Sequence, residues 1–117
     1  MVIEYNYTMA EEALKMIQSN QRVFIHGSAA TPIVMINKLL AEKERLKNVE
    51  IVGITHIGVD FNNKDLEGHF HINSLFVSES NRKAVNSGMG DYIPVFLSEI
   101  PSLFNLQILP LDVAIVH

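Results

Sequence analysis

Apolar residues along the chain change period several times, and the changes mark the elements. Met1–Tyr7 is short and β-prone, and reads as an arm or edge strand. Thr8–Glu11 has the form of a capping box ahead of Ala10, Ala13, Leu14 and Ile17, which share one face of an amphipathic helix. Val23, Phe24 and Ile25 then read as a buried strand beginning at Arg22. Five residues of little bulk follow, His26–Ala30. Thr31 reads as the cap, and Pro32 as the first turn, of a helix running to about Leu46 through Ile33, Ile36 and Leu40. Val49–Ile54 is apolar except at Glu50 and Gly53, the mark of a strand buried on both faces.

Thr55–Gly68 carries Gly58, Asp60, Asn62, Asn63 and Gly68, all turn formers, and predicts irregular backbone. His69–Val77 alternates and reads as a strand. Ser78 or Ser80 caps a short helix through Asn86, with Gly88 as its left-handed terminator. Gly88–Asp91 reads as a turn, Tyr92–Phe96 as a short strand or extended segment, and Leu97–Asn105 as a helix with Pro101 in its first turn. Pro110–His117 is a strand rich in β-branched residues. Helices alternating with buried strands predict an α/β fold: an open, mostly parallel sheet with flanking helices and right-handed crossovers. The chain ends within a strand that reads as core, which predicts a longer parent polypeptide.

Composition narrows the function classes. A chain of 117 residues builds one small core. Its 48% hydrophobic content is high for that size, as expected if part of the surface is covered by something else. A net charge of −4 argues against nucleic acid or an anionic membrane as partner. The lysines and arginines of 43–47 alternate with Glu42 and Glu44, a solvated helix face. Without cysteine there is no disulfide, thiolate metal site or cysteine nucleophile. No apolar run approaches a membrane span and no signal peptide leads the chain, so the cytoplasm is the expected compartment.

The candidate chemistry gathers where strands end. His26 and His56 each follow a buried strand, which in a parallel sheet brings both to the C-terminal edge, where open α/β sheets bind ligands. A structural role for His56 stands equally open. The stretch Gly27, Ser28, Ala29, Ala30 leaves backbone N–H groups open to an anion ahead of a helix N-terminus. It is neither a Walker loop nor a dinucleotide fingerprint, and Ser28 lacks a nucleophile elbow. His69 and His71 share a strand face at metal-ligand spacing, but no further ligands are fixed, so no metal is expected. Tyr92 and Pro94 are candidates to line a pocket, with core packing as the alternative. Asp112 enters the last strand as a loop-end hydrogen-bond acceptor.

Taken together, Val23–Pro32, His69–Phe70, Asn73–Val77, Arg82 with Ala84–Asn86, Gly90–Pro101 and Leu109–Ala114 resemble the N-terminal domain of the acetyl-CoA hydrolase/transferase family, especially its 4-hydroxybutyrate CoA-transferase branch. The resemblance runs in order over nearly the whole chain; Gly58–Glu67 departs from the pattern. It implies a two-domain enzyme several times this length, of which residues 1–117 are a partial N-terminal domain. Such enzymes move CoA from an acyl-CoA (4-hydroxybutyryl-, butyryl- or acetyl-CoA) to a carboxylate such as acetate. The nucleophile implied is a glutamate of the second domain, beyond residue 117, so no catalytic residue is expected in this chain and the chain alone is expected to be inactive. The resemblance places His26 and Gly27–Ala30 on the acyl side of the site. It implies coenzyme A as a substrate, the rest of the polypeptide as a partner, and a homo-oligomer. An acetyl-CoA hydrolase of the same family and a non-catalytic binding or assembly module are the alternatives.

Overall fold

The runs predicted to be buried form the centre of a five-stranded sheet. The computed structural model describes residues 1–117. Its strands are β1 (Arg22–Ile25), β2 (Val49–Gly53), β3 (Phe70–Ser74), β4 (Gly90–Tyr92) and β5 (Val113–Ile115). All pairs are parallel, in the order β4-β3-β2-β1-β5. The register sets Val23 beside Ile51 and Val113, and Ile51 beside Ile72, so these apolar side chains share one face.

Four α-helices flank the sheet: α1 (Ala10–Leu14) ahead of β1, and α2 (Ile33–Ala41), α3 (Arg82–Asn86) and α4 (Ile100–Asn105) between strands. The first three cover the face of Val23 and Ile51. There Leu14, Ile36, Leu39 and Ala84 pack with Val23, Ile25, Ile51, Phe61 and Ile72 in a core of sixteen buried residues. On the other face α4 sets Ile100 against Val52 and Leu75, and Phe104 lies edge-on to Phe24 with ring centres 5.6 Å apart. Beside that contact lies a polar cluster. The Arg22 guanidinium pairs with Glu50, and the Asn73 amide donates to the same carboxylate at 2.7 Å. No helix is long and apolar enough to cross a membrane.

Several local expectations are corrected. Met1–Tyr7 joins no strand and is exposed. The capping box does not form: Met9 is the N-cap of α1 and no side chain bonds that end. α2 stops at Ala41 and a 3-10 turn, Lys43–Arg45, follows. There Arg45 reaches back to the Ile17 and Leu14 carbonyls (2.7 and 3.2 Å), a bond set that closes the end of α1. Thr31 caps nothing; its hydroxyl is used within the loop described below. The fourth strand begins at Gly90, two residues ahead of Tyr92. Gly90 is there because a side chain would collide with the Ile72 carbonyl on β3, so the glycine that reads as a turn serves a close strand contact. Gly88, at φ 86°, does end α3 as expected.

Candidate functional site

In this strand order the chain leaves β1 toward β2 and later returns to the other side of β1 as β5. The crevice at the C-terminal ends of β1 and β5 is therefore the topological switch point, where open α/β sheets bind ligands. His26 stands there. Its backbone N–H donates to the Ile115 carbonyl at 2.9 Å, and its Nδ1 accepts the His117 N–H at 3.3 Å. An accepting Nδ1 puts the proton of the neutral ring on Nε2, which has no partner within the chain. The side chain is half-buried.

The loop after it is tightly built. A Cβ at Gly27 would collide with the Thr55 carbonyl, so glycine is required. Ser28 has φ 53°, in the left-handed region that non-glycine residues seldom adopt, and starts a 3-10 turn, Ser28–Ala30. Its N–H donates to the Thr55 carbonyl at 2.6 Å. Ser28 and Ala29 are exposed, and the Ser28 hydroxyl has no protein partner. Thr31 is buried; its hydroxyl donates to the Ser28 carbonyl (2.7 Å) and accepts the Ile57 N–H (3.1 Å).

His56 meets the same loop from β2. It is only 5% exposed, with Nε2 3.0 Å from the Ile25 carbonyl and its ring edge-on to Phe61 at 5.3 Å. Burial disfavours the imidazolium and lowers its pKa below 6.5, against a smaller opposing effect of the Ile25 carbonyl. His56 also lines a cavity of about 800 Å³ beside α2 and α3, with Asn37, Asp60, Asn62, Glu79 and Lys83.

Of the sequence candidates, the structure brings His26, Gly27–Ala30 and His56 together. It does not bring Tyr92 and Pro94 to them. Both are exposed at and beyond the end of β4, three strand positions from β1, or ~14 Å at the usual strand spacing. His69 and His71 have other partners: His69 Nδ1 lies 2.8 Å from the Leu46 carbonyl, and His71 Nε2 is 2.8 Å from the Asp91 carboxylate. Asp112 accepts the Arg22 backbone N–H at 2.8 Å, the loop-end role expected of it. Sequence reasoning gave Thr31 a different role, as a helix cap, and missed Thr55 and the polar lining of the cavity. The signal for the lining was the cluster of turn formers after β2, at an edge where loops bind ligands.

Residues 3–117 match the family model described as acetyl-CoA hydrolase/transferase N-terminal domain. The chain is 40% identical over 111 residues to the succinyl-CoA:acetate/propanoyl-CoA:succinate CoA transferase of Fasciola hepatica, covering 92% of this chain and 23% of that protein. It is 37% identical over 109 residues to the 4-hydroxybutyrate coenzyme A transferase of Clostridium kluyveri, covering 92% and 25%. The chain thus spans about a quarter of the length of these curated relatives. The crystal structure of RipA from Yersinia pestis superposes with a TM-score of 0.78 at 20% identity, over 93% of this chain and 28% of that one, a likeness of fold.

Proposed function

The chain belongs to the acetyl-CoA hydrolase/transferase family, and we propose that it is the N-terminal part of an enzyme moving CoA from an acyl-CoA to a free carboxylate. 4-Hydroxybutyryl-, butyryl- or acetyl-CoA is the donor in this reading and a carboxylate such as acetate the acceptor. One observation carries it. In a chain with this family match, His26 stands at the switch point with Nε2–H unengaged, followed by four small residues of which two are exposed.

The reading assigns the nucleophile to a glutamate beyond residue 117. Its carboxylate adds to the thioester carbon, and CoA leaves as thiolate, giving an acyl-glutamyl anhydride. The thiolate then adds to the glutamyl carbonyl and expels the acyl carboxylate, leaving a glutamyl-CoA thioester for the acceptor. Negative charge develops on the carbonyl oxygen at each addition. His26 Nε2–H is the donor proposed for it, and Gly27–Ala30 leave room for the acyl group. His56 stands behind that loop, and Tyr92 and Pro94 are assigned to a more distant part of the ligand. Acyl-CoA and carboxylate are then the ligands, the rest of the polypeptide and further copies the partners, and the cytoplasm the compartment.

The test is steady-state kinetics on the polypeptide that carries these residues together with the glutamate. His26→Ala should lower kcat/KM by ~10²-fold or more, the scale of a lost oxyanion donor. Near-normal kcat/KM across several acyl-CoAs would remove His26 from the site. The 117-residue chain alone should transfer no CoA to acetate. Release of free acid without acetyl-CoA formation would assign hydrolysis instead.

A further inference from the structure

Three consecutive residues after β2 each hold a different point of the end of β1 and the loop that follows it. The Thr55 carbonyl takes the Ser28 N–H, His56 Nε2 reaches the Ile25 carbonyl, and the Ile57 N–H goes to the Thr31 hydroxyl. We propose that His56 is a positioning residue, which by holding the Ile25 carbonyl sets where His26 and the Ser28 turn stand and makes no contact with the acyl group itself. This deepens the reading of the His26 loop as the acyl site and rests on it.

The proton count supports the assignment. A carbonyl only accepts, so Nε2 carries the hydrogen of that bond. Burial keeps the ring neutral, which leaves Nδ1 a bare lone pair without a protein partner. Such a ring has no proton to give a carboxylate or a thioester oxygen. His26 is the complement: its Nδ1 is taken and its Nε2–H is open.

Sterics confine the ring. A Cβ at Gly53 would overlap His56 Cε1 and Nε2, so β2 must carry glycine for the ring to lie across it toward β1. Phe61 holds the other side. On the far side of the bond, Ser28 keeps a left-handed backbone that serine holds only when its surroundings fix it. The fixing groups are those of Thr55–Ile57, with His56 at the centre.

The proposal is tested by amide hydrogen exchange and imidazole NMR on the polypeptide that carries these residues together with the glutamate. The Glu50 N–H, bonded to the Gln21 carbonyl at the other end of β2, is the internal reference. His56→Phe keeps a ring and loses the donor. It should speed Ser28 exchange about tenfold relative to Glu50, the scale of one lost hydrogen bond, and His56→Gln, whose amide reaches the same carbonyl, should restore it. Ser28 and Glu50 changing in parallel would make His56 a packing residue and overturn the proposal. If the Phe variant does not fold, the wild-type ring decides: a hydrogen on Nε2 alone at pH 7 is expected, and a hydrogen on Nδ1 overturns the assignment. No readout involves CoA, so failure here leaves the transferase reading standing.

Discussion

Sixteen buried apolar residues lie on the face of the sheet under α1, α2 and α3; three, Val52, Leu75 and Ile100, lie on the face under α4. Strand residues alternate between the two faces, so part of the difference lies in what each strand carries at alternate positions. In β2, Val49 and Ile51 point into the larger core, while Glu50 points to the other side and meets Arg22 and Asn73. Asn73 Oδ1 is buried there without a partner, which costs ~1–3 kcal/mol where nothing satisfies it. Ala114 on β5 is exposed on that side. One face therefore carries most of the fully buried apolar side chains, and the other combines a smaller, partly exposed apolar cluster with directional polar bonds.

Substitutions should separate the two. The largest effect belongs to the thick face: Ile51→Ala removes a fully buried side chain and should lower the free energy of urea unfolding by ~4 kcal/mol, within the range for large-to-small core changes. Phe104→Ala removes a bigger side chain from the thin face, yet should cost only ~1–2 kcal/mol. The residue is half-buried, and what it loses is chiefly the edge contact with Phe24 and part of its covered area. An equal loss at the two positions would mean that the faces contribute alike.

The smallest effect is a titration. His56 has a folded-state pKa lowered by burial, so on acidification the unfolded chain takes up its proton first. Stability should be level above pH 6.5 and decline as pH falls from 6.5 through the folded value. The decline should vanish in His56→Gln, with Tm measured between pH 7.5 and 5.5. Glu11, held below 4.5 by the Lys38 ammonium, titrates in a separate, more acidic window, and as part of an exposed pair it should move Tm little.

The strands of the thick face were legible because they are apolar almost throughout: the expected stretches Arg22–Ile25, Val49–Ile54 and Pro110–His117 each contain the observed strand. β4 was misplaced by two residues because nothing local distinguishes a glycine needed for a turn from one needed beneath a neighbouring carbonyl. Thr31 was misread for a similar reason: its hydroxyl has a better use 26 residues away, at the Ile57 N–H, than at its own helix. The edge of the sheet on which His26 and His56 meet followed from strand direction alone. Their division of labour did not, since it turns on which ring nitrogen faces which backbone group, and backbone groups leave no trace in residue identity.

The return of the chain to β5 has a consequence for how the molecule assembles. Arg22 and Asp112 are 90 residues apart, whereas Arg22 and Glu50, which join β1 to β2, are 28 apart. Closing the longer loop costs roughly 1 kcal/mol more in chain entropy, and β5 offers only three residues to offset it. The β1–β2 pair should therefore form early and β5 dock late, so the crevice beside His26 is the last part of the sheet to close and the first to open.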